Sequence, residues 1–297
     1  MFIKFTSLII PTKNRSDLLL RLFSSINYCI SDFNEIIIVD SSTENENKKI
    51  NNILRNYKNI KIIKSQPSTS MQRNIGINKF NKLNKFLMFC DDDIIFDKKA
   101  IENMNEFIND NSDNIGFGFN LLENKSNKFF EKIKKSEILT KIGLYHSNPG
   151  VVCANGWHTK LINLEKNCNT MWLSTQACIY QTKYLDKMLF DETLGKYSYL
   201  EDLFFSYKLS KRGKLSSCCF SNYFHPDNIQ RSNFKFGVKE VTNRYKFVKS
   251  NNLSLVKFYI TILLKIFFNF SEIFLLKFKV IPKILGNLLG LILCITK

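Results

Sequence analysis

The sequence predicts an α/β fold with a mostly parallel, mixed sheet, followed by C-terminal amphipathic helices. In residues 1–120, short β-branched runs alternate with segments of helical spacing. This alternation is typical of a mostly parallel sheet with helices on both faces. Residues 250–297 are apolar apart from a narrow polar stripe at helical spacing, which indicates an amphipathic helix with a wide apolar face.

The individual elements follow from these patterns. Strands are predicted at residues 2–10, 35–39, 60–63, 85–90 and 115–119. Helices are predicted between them at 16–30, 44–57, 68–80 and 97–108, with Ser68 and Asp97 as N-terminal caps. Residues 121–170 are less regular, include a Lys/Glu-rich stretch at 123–137 and are expected to form a loop or insertion. Further helices are predicted near 182–189 and 201–211, the latter ended by Gly213.

Composition excludes several classes of protein. The chain has 297 residues, 44% hydrophobic and 23% charged, so it is large enough to bury a core and is not disordered, collagen-like or a small disulfide scaffold. The net charge of +17 suits anionic partners such as nucleotide phosphates, anionic lipid or nucleic acid. Eight cysteines without a C-x-x-C pair argue against a zinc or disulfide framework and indicate a reducing compartment. The N-terminal apolar run is too short for a secretory signal, so we expect a cytoplasmic protein.

Polar residues follow three of the predicted strands directly. They are residues 12–15 after the first strand, Asp40 after the second and Asp91, Asp92 and Asp93 after the fourth. Ligands of such sheets bind beyond the carboxyl ends of the strands. The three loops are therefore expected to converge on one crevice.

The three consecutive acids are the strongest chemical signal. Two carboxylates in D-x-D spacing can hold Mg²⁺ or Mn²⁺ through oxygen ligands, and the metal would bridge to diphosphate oxygens. The alternative is a solvated acidic turn that starts the next helix. Three like charges repel unless a cation or basic groups compensate them, which favours the metal site.

Other candidate residues each have a structural alternative. Asp40 can accept a hydrogen bond from the imide N–H of uracil or thymine, or it can be a turn or cap residue. Arg73 can clamp a phosphate or stack on a base and Asn74 can satisfy polar edges, or both can lie on a solvated helix face.

Glu201 and Asp202 open a helix after an aromatic loop. One of them can act as a general base that deprotonates an acceptor hydroxyl, while the alternative is that acids simply favour a first helical turn. His225 is a candidate third metal ligand, although a lone histidine is more often structural. His146 and His158 have no partner in a recognisable spacing.

Together these segments resemble an inverting family-2 glycosyltransferase with the GT-A fold. The matching stretches, in family order, are SLIIPTKNR (7–15), EIIIVDSS (35–42), QRNIG (72–76), FCDDD (89–93), WLST (172–175), and FDE (190–192) leading to LEDL (200–203). The sequence departs from the family at Thr175, where a glycine is usual, and at Gln181, where an arginine is usual. These departures concern acceptor specificity.

The resemblance implies roles for the site residues. Asp202 would be the catalytic base, with Glu201 as the alternative. The metal, Mn²⁺ or Mg²⁺, would be held by Asp93 and Asp91, with His225 as a further candidate, and Trp172 would contact the acceptor. The residues implied to bind the donor are Pro11, Thr12, Asn14, Arg15, Asp40, Arg73, Asn74, Asp91 and Asp92.

The implied organisation is a single Rossmann-like catalytic domain over 1–245, with a nucleotide-sugar half at 1–120 and an acceptor half at 121–245. The implied reaction moves a sugar with inversion from a UDP- or dTDP-linked donor to a hydroxyl of a glycan or lipid-linked acceptor. Cell-surface polysaccharide or lipopolysaccharide synthesis would be the setting, and no nucleic acid would be bound.

Three alternatives compete with this function. A polyprenyl-phosphate sugar synthase would suit the tail. However, this sequence lacks the D-A-D motif and the basic Pro-rich segment that would follow it in such an enzyme. A sugar nucleotidyltransferase would need glycine in residues 11–15, which contain none. A basic membrane- or nucleic-acid-binding protein would explain the charge but not the acids at two strand ends.

The C-terminal tail (250–297) has two interpretations. Its polar stripe comprises Ser254, Lys257, Thr261, Lys265, Asn269, Glu272 and Lys279, with Lys277 as the exception. The apolar face could bind the cytoplasmic face of the inner membrane, or it could pack on the catalytic domain or in a homodimer. A transmembrane span is not expected, because the longest uncharged stretch, 284–296, is shorter than the ~20 residues a span needs.

Overall fold

The computed structural model describes residues 1–123, 137–225, 233–274 and 278–296, without the side chains of Ser271, Glu272 and Phe274. It divides into two compact units. The first comprises Met1–Asn124 and Lys160–Asp227, and the second comprises Lys125–Thr159 and Asn228–Lys297. Most of the Lys/Glu-rich stretch, Lys277 and the Glu272 side chain lie outside the described residues.

The first unit is built on one mixed sheet. Its strands are β1 (Thr6–Thr12), β2 (Glu35–Asp40), β3 (Ile60–Lys64), β4 (Phe86–Cys90), β5 (Ile95–Phe96), β6 (Gly116–Leu122), β7 (Cys168–Thr170), β8 (Ala177–Gln181) and β9 (Leu215–Phe224). The strand order is β3-β2-β1-β4-β8-β6-β9-β5, with β7 also paired to β9. β1 to β4 form a continuous parallel half, and β8 pairs antiparallel with both β4 and β6. The predicted α/β fold is confirmed.

Helices cover both faces of this sheet. The α-helices of the first unit are α1 (Ser16–Ser25), α2 (Glu44–Leu54), α3 (Thr69–Lys79) and α4 (Ala100–Asp110), and, further along the chain, Glu201–Ser210. Leu8 of β1 is buried in one core cluster with Leu19 of α1. Its neighbour Ile9 points to the other face, where a Cβ on Gly76 of α3 would lie 2.6 Å from Ile9 Cγ2. Period-two alternation in β1 therefore buries both faces.

Local boundaries show where tertiary contacts override sequence patterns. Ser68 caps α3 as predicted, accepting a hydrogen bond from Met71 N at 3.5 Å. Asp97 does not cap α4, since its side chain accepts from the next residue and the helix begins at Ala100. The predicted helix near 182–189 is wrong, because only a 3₁₀ turn forms at Thr182–Tyr184. The first apolar run begins as a 3₁₀ turn, Phe2–Phe5, before β1.

The second unit contains the C-terminal helices. They are α7 (Phe234–Ser250), α8 (Leu255–Phe274) and α9 (Ile281–Ile295). The unit also contains the short mid-chain helix α5 (Glu137–Lys141), and the first unit's Glu201–Ser210 is α6. The predicted amphipathic tail is thus two helices. A Cβ on Gly286 of α9 would lie 2.2 Å from the Phe234 carbonyl oxygen, and one on Gly237 would lie 2.4 Å from that of Lys283. Glycine at both positions therefore lets the backbones of α7 and α9 touch.

One stretch of the described residues, Phe278–Ile295, is long and apolar enough to cross a membrane by length and composition, and 28% of it is buried. Core helices of soluble proteins pass the same test.

A buried charge cluster joins the three long helices. Lys265 Nζ of α8 donates to Glu240 Oε1 of α7 at 2.6 Å, Lys283 Nζ of α9 lies 3.6 Å from Glu240 Oε2, and Asn287 Nδ2 donates to that oxygen at 3.2 Å. Burial opposes ionisation of Glu240, but the two lysine charges outweigh it and lower its pKa to about 2. The cluster therefore stabilises the unit while Glu240 is charged.

This pKa predicts an acid-sensitive second unit. A carboxyl group whose folded pKa is below its unfolded value contributes stability above about pH 4.5, and this is lost as the pH falls towards 2. From the size of the shift we expect Glu240 to contribute ~3 kcal/mol to unfolding free energy at neutral pH. Urea unfolding from pH 7 to 2.5 measures it. A Trp172→Phe background leaves Trp157 of the second unit as the reporter.

The matched comparison is Glu240→Gln in the same background. The difference in stability between the two proteins should shrink as the pH falls below 4.5. A difference that stays constant across this range would contradict the assignment.

Candidate active site

The loops after β1, β2 and β4 meet at the carboxyl end of the parallel half of the sheet. Thr12 Oγ1 donates to Asp92 Oδ2 at 2.6 Å. This bond joins the loop after β1 to the acidic loop, residues 91–93, which follows β4. Asn14 N donates to Ser42 Oγ at 2.6 Å, which joins the first loop to the second. The structure thus forms the crevice that the strand ends predict.

Basic side chains compensate the acidic loop. Arg15 Nη1 lies 3.1 Å from Asp92 Oδ1 and 2.7 Å from Asp93 Oδ2. His225 Nε2 lies 3.2 Å from Asp93 Oδ1. Burial raises the pKa of Asp92 to about 6. Burial also opposes ionisation of Asp93, but His225 and Arg15 outweigh it and hold the pKa of Asp93 below its usual value.

Within the described part of the chain, no three His, Cys, Asp or Glu side chains form a preassembled metal cluster. The donor chemistry nevertheless fits a hard divalent cation, because carboxylates and one imidazole suit Mn²⁺ or Mg²⁺. Asp93 Oδ1 is fully buried and has no hydrogen bond beyond its ion pair with His225. The residues that would hold the ion are therefore Asp91, Asp93 and His225.

A buried ion-pair relay connects the acidic loop to α6. Arg73 of α3 is fully buried; its Nη2 donates to Asp91 Oδ1 at 2.6 Å and its Nη1 donates to Glu201 Oε1. Ser70 Oγ donates to the other Glu201 oxygen at 2.6 Å. Burial raises the pKa of Glu201 to about 7, against the opposing effects of Arg73 and Ser70. Arg73, predicted to bind the donor, is placed to position Asp91 and Glu201.

Asn74 is also engaged by the protein. Its side chain exchanges hydrogen bonds with the backbone of Phe190, donating at 2.9 Å and accepting at 2.7 Å, and it donates to Glu192 Oε1 at 2.8 Å. It therefore fastens the FDE segment to α3, next to the relay.

Asp202 lies in the first turn of α6, and its exposure sets it apart from Glu201. Asp202 is half-buried, whereas Glu201 is buried. Asp202 Oδ1 accepts from Leu203 N at 2.8 Å. The preceding residue, Leu200, has the left-handed φ of 75°, a strained conformation for a leucine and one that is concentrated at functional sites.

Asp40 ends β2 and is buried. Its Oδ1 accepts from Ser42 N at 2.8 Å, and its Oδ2 accepts from Asn47 Nδ2 at 2.6 Å. The turn role and the base-binding role are compatible, because each carboxylate oxygen can accept a second hydrogen bond. Pro11 is buried in β1, one residue before Thr12.

Trp172 lies after β7 and is buried. Its backbone N–H donates to Thr170 Oγ1 at 3.2 Å, and that hydroxyl donates to the Trp172 backbone carbonyl at 2.6 Å. Gln176, four residues later, accepts from Asp91 N at 3.0 Å through its carbonyl. This segment therefore reaches the acidic loop.

Two supporting residues were missed by sequence analysis. Gln72 Nε2 donates to the carbonyls of Thr12 at 2.9 Å and Val39 at 2.7 Å, which ties the ends of β1 and β2 to α3. Ser70 holds Glu201, as described above. The sequence offered one signal for Ser70, its position three residues before Arg73, which places both on the same side of a helix. In the structure that side is buried.

The profile of Glycosyl transferase family 2 matches residues 7–188, more than half of the chain. The chain belongs to this family. The match includes the acidic loop and α3 but ends before Glu201, Asp202 and His225. No curated protein sequence matches this glycosyltransferase.

Solved structures share its fold. S. aureus TarS 1–349 is 17% identical with a TM-score of 0.52, over 82% of this chain and 64% of that one. A mannosyltransferase from Pyrobaculum calidifontis, in complex with GDP-Man and Mn²⁺, is 11% identical with a TM-score of 0.55, over 84% and 64%. GalNAc-T7 with UDP, GalNAc and Mn²⁺ is 15% identical with a TM-score of 0.58, over 82% and 47%. The chain thus has the predicted GT-A fold and spans less than two thirds of each of these proteins.

Proposed function

We propose that this family-2 glycosyltransferase moves a sugar with inversion from a UDP- or dTDP-linked donor to a hydroxyl acceptor. The observation that carries the proposal is the buried relay, in which Arg73 joins Asp91 of the acidic loop to Glu201, the neighbour of Asp202. The relay holds Asp91, a proposed donor contact, in one buried network with the neighbour of the proposed base, which supports the proposal. TarS has also been solved with UDP-GlcNAc, which supports a uridine donor.

The proposed reaction is a single displacement. Asp202 accepts the proton of the acceptor hydroxyl as the hydroxyl oxygen bonds to the anomeric carbon. The bond from that carbon to the diphosphate breaks on the opposite side, so configuration inverts and the nucleoside diphosphate leaves. A divalent cation on Asp91, Asp93 and His225 would supply neutralisation of the diphosphate charge. Asp40 would accept from the imide N–H of the base.

The proposed setting is cell-surface polysaccharide or lipopolysaccharide synthesis on the cytoplasmic face of the inner membrane, with a glycan or lipid-linked acceptor. Transfer to polyprenyl phosphate is the second candidate, favoured by the apolar surface of the C-terminal helices. Product analysis distinguishes them, because a phosphate acceptor gives an acid-labile glycosyl phosphate and a hydroxyl acceptor gives an ordinary glycoside.

Metal-dependent donor binding is the first test. Asp93→Ala removes the carboxylate whose Oδ1 faces His225, so affinity for UDP in the presence of Mn²⁺ should fall at least ~10-fold. Isothermal titration of UDP with and without Mn²⁺ measures this. The matched control is Asp97→Ala, which removes an exposed carboxylate four residues away. If wild-type affinity for UDP is the same with and without Mn²⁺, metal-dependent binding is wrong.

A further inference from the structure

The two C-terminal helices place their polar residues inside the second unit. On α8, Thr261 Oγ1 accepts from Asn155 Nδ2 at 2.8 Å and Lys265 pairs with Glu240. On α9, Asn287 is buried and donates to the Gly237 carbonyl at 3.0 Å. Thr261 and Lys265 of the predicted polar stripe therefore face inward, whereas Lys279, between the two helices, is exposed.

The exposed side chains that the structure describes on the same helices, α8 and α9, are apolar. On α8 these are Val256, Ile260, Leu263, Leu264, Phe267 and Phe270. On α9 they are Ile281, Pro282, Leu285, Leu288, Leu289, Ile292, Leu293 and Ile295. Single exposed apolar residues are ordinary, but a continuous set of this size marks an interaction surface.

The packing of α9 on α7 also resembles that of helices in lipid. Gly286 and Gly290 of α9 form a G-x-x-x-G spacing, and a Cβ on Gly290 would lie 2.8 Å from Val241 Cβ of α7. Small residues at this spacing let helix backbones approach where lipid, not water, surrounds the bundle. The inward polar contacts and the close approach of the backbones both suit an apolar environment around these helices.

The positive charge of this region indicates which partner fits the apolar surface. Residues 233–297 contain ten lysines and one arginine against two glutamates. A second copy would bring two strongly positive units together, which opposes self-association. An anionic bilayer surface instead complements the charge, because lysines near headgroups attract acidic lipid and their stems can extend along apolar surface.

We propose that α8 and α9 insert their outward apolar surface into the interface of an anionic bilayer, with the helices in the plane of the membrane. Lys265 sits mid-way along α8 and is held inward by Glu240, so this arrangement leaves no exposed charge, among the described side chains of the two helices, to be buried in hydrocarbon. The partner is the lipid surface itself, and the inference does not depend on which sugar is transferred.

The test is flotation of the full chain with vesicles of phosphatidylglycerol and phosphatidylcholine, compared with phosphatidylcholine alone. The variant is Phe267→Gln/Ile292→Gln, which removes one residue from each helix at positions that are 67% and 58% exposed. We expect wild type to float with the anionic vesicles at least ~10-fold more than with neutral ones. The variant should lose at least ~10-fold in binding, with an unchanged circular dichroism spectrum.

The matched control is Leu83→Gln/Phe220→Gln, at positions of the first unit that are 89% and 65% exposed. It should float like wild type. Equal flotation of the helix variant and wild type would overturn the proposal, as would equal loss in the control. A lipid-free dimer in sedimentation that the helix variant abolishes, with no flotation of wild type, would assign the surface to a second copy. UDP binding measured on the same samples separates this result from failure of the proposed catalytic function.

Discussion

Asp202→Asn is expected to lower turnover by ~10²–10⁴-fold while leaving nucleotide affinity close to that of wild type. The amide keeps the shape of the side chain but cannot accept the acceptor's proton. The proposed donor contacts lie in the acidic loop, at Asp40 and in the residues after β1, so binding should persist. Mass-spectrometric detection of nucleoside diphosphate release measures turnover, with water as the acceptor where no other is known, and titration with UDP measures affinity.

Glu201→Gln is the informative comparison for this prediction. Glu201 is buried against Arg73 and Ser70, so its replacement should act on stability and alignment more than on proton transfer. We expect the retained turnover of Glu201→Gln to exceed that of Asp202→Asn. If Glu201→Gln abolishes turnover and Asp202→Asn does not, Glu201 is the base and Asp202 is not.

The sequence was sufficient to locate the acidic crevice, but not the ion pairs that join its residues. Strand-end positions follow from local periodicity, and parallel strands bring their carboxyl ends to one edge, so Asp40 and Asp93 could be grouped without coordinates. The partner of a buried charge is a different matter. Arg73 and Glu201 are 128 positions apart in the sequence, so no local pattern encodes their pairing.

The C-terminal helices show a second limit of periodicity. A helical stripe gives the angle between polar and apolar residues but not which side faces the protein. Burial of the apolar stripe is the usual outcome in water. Here a single buried acid on α7, Glu240, pairs with Lys265 and Lys283 inside the unit, and only part of the apolar surface is buried. In the sequence, Glu240 is a single acid among the basic residues of α7, and nothing in that pattern indicates that it pairs with lysines of the following helices.

Arg73→Met should destabilise the first unit by ~3–5 kcal/mol, since removing one partner of a buried ion pair leaves an uncompensated charge. Two carboxylates, on Asp91 and Glu201, lose their shared cation. The pKa of Glu201, already raised to about 7 by burial, should rise further without Arg73. Urea unfolding followed by circular dichroism measures the loss.

The pH dependence of this loss identifies its cause. An acid whose folded pKa exceeds its unfolded value binds more protons in the folded state, so stability falls as the pH rises through that interval. Arg73→Met should therefore lose more stability relative to wild type at pH 8 than at pH 5. Adding Glu201→Gln to Arg73→Met should restore part of the loss at pH 8, because no buried carboxylate then remains at that position. The exposed Arg212→Met is the matched control and should change little at either pH. Equal destabilisation by Arg73→Met at both pH values, with no rescue by the second substitution, would mean that Arg73 contributes through packing and not by holding the two carboxylates.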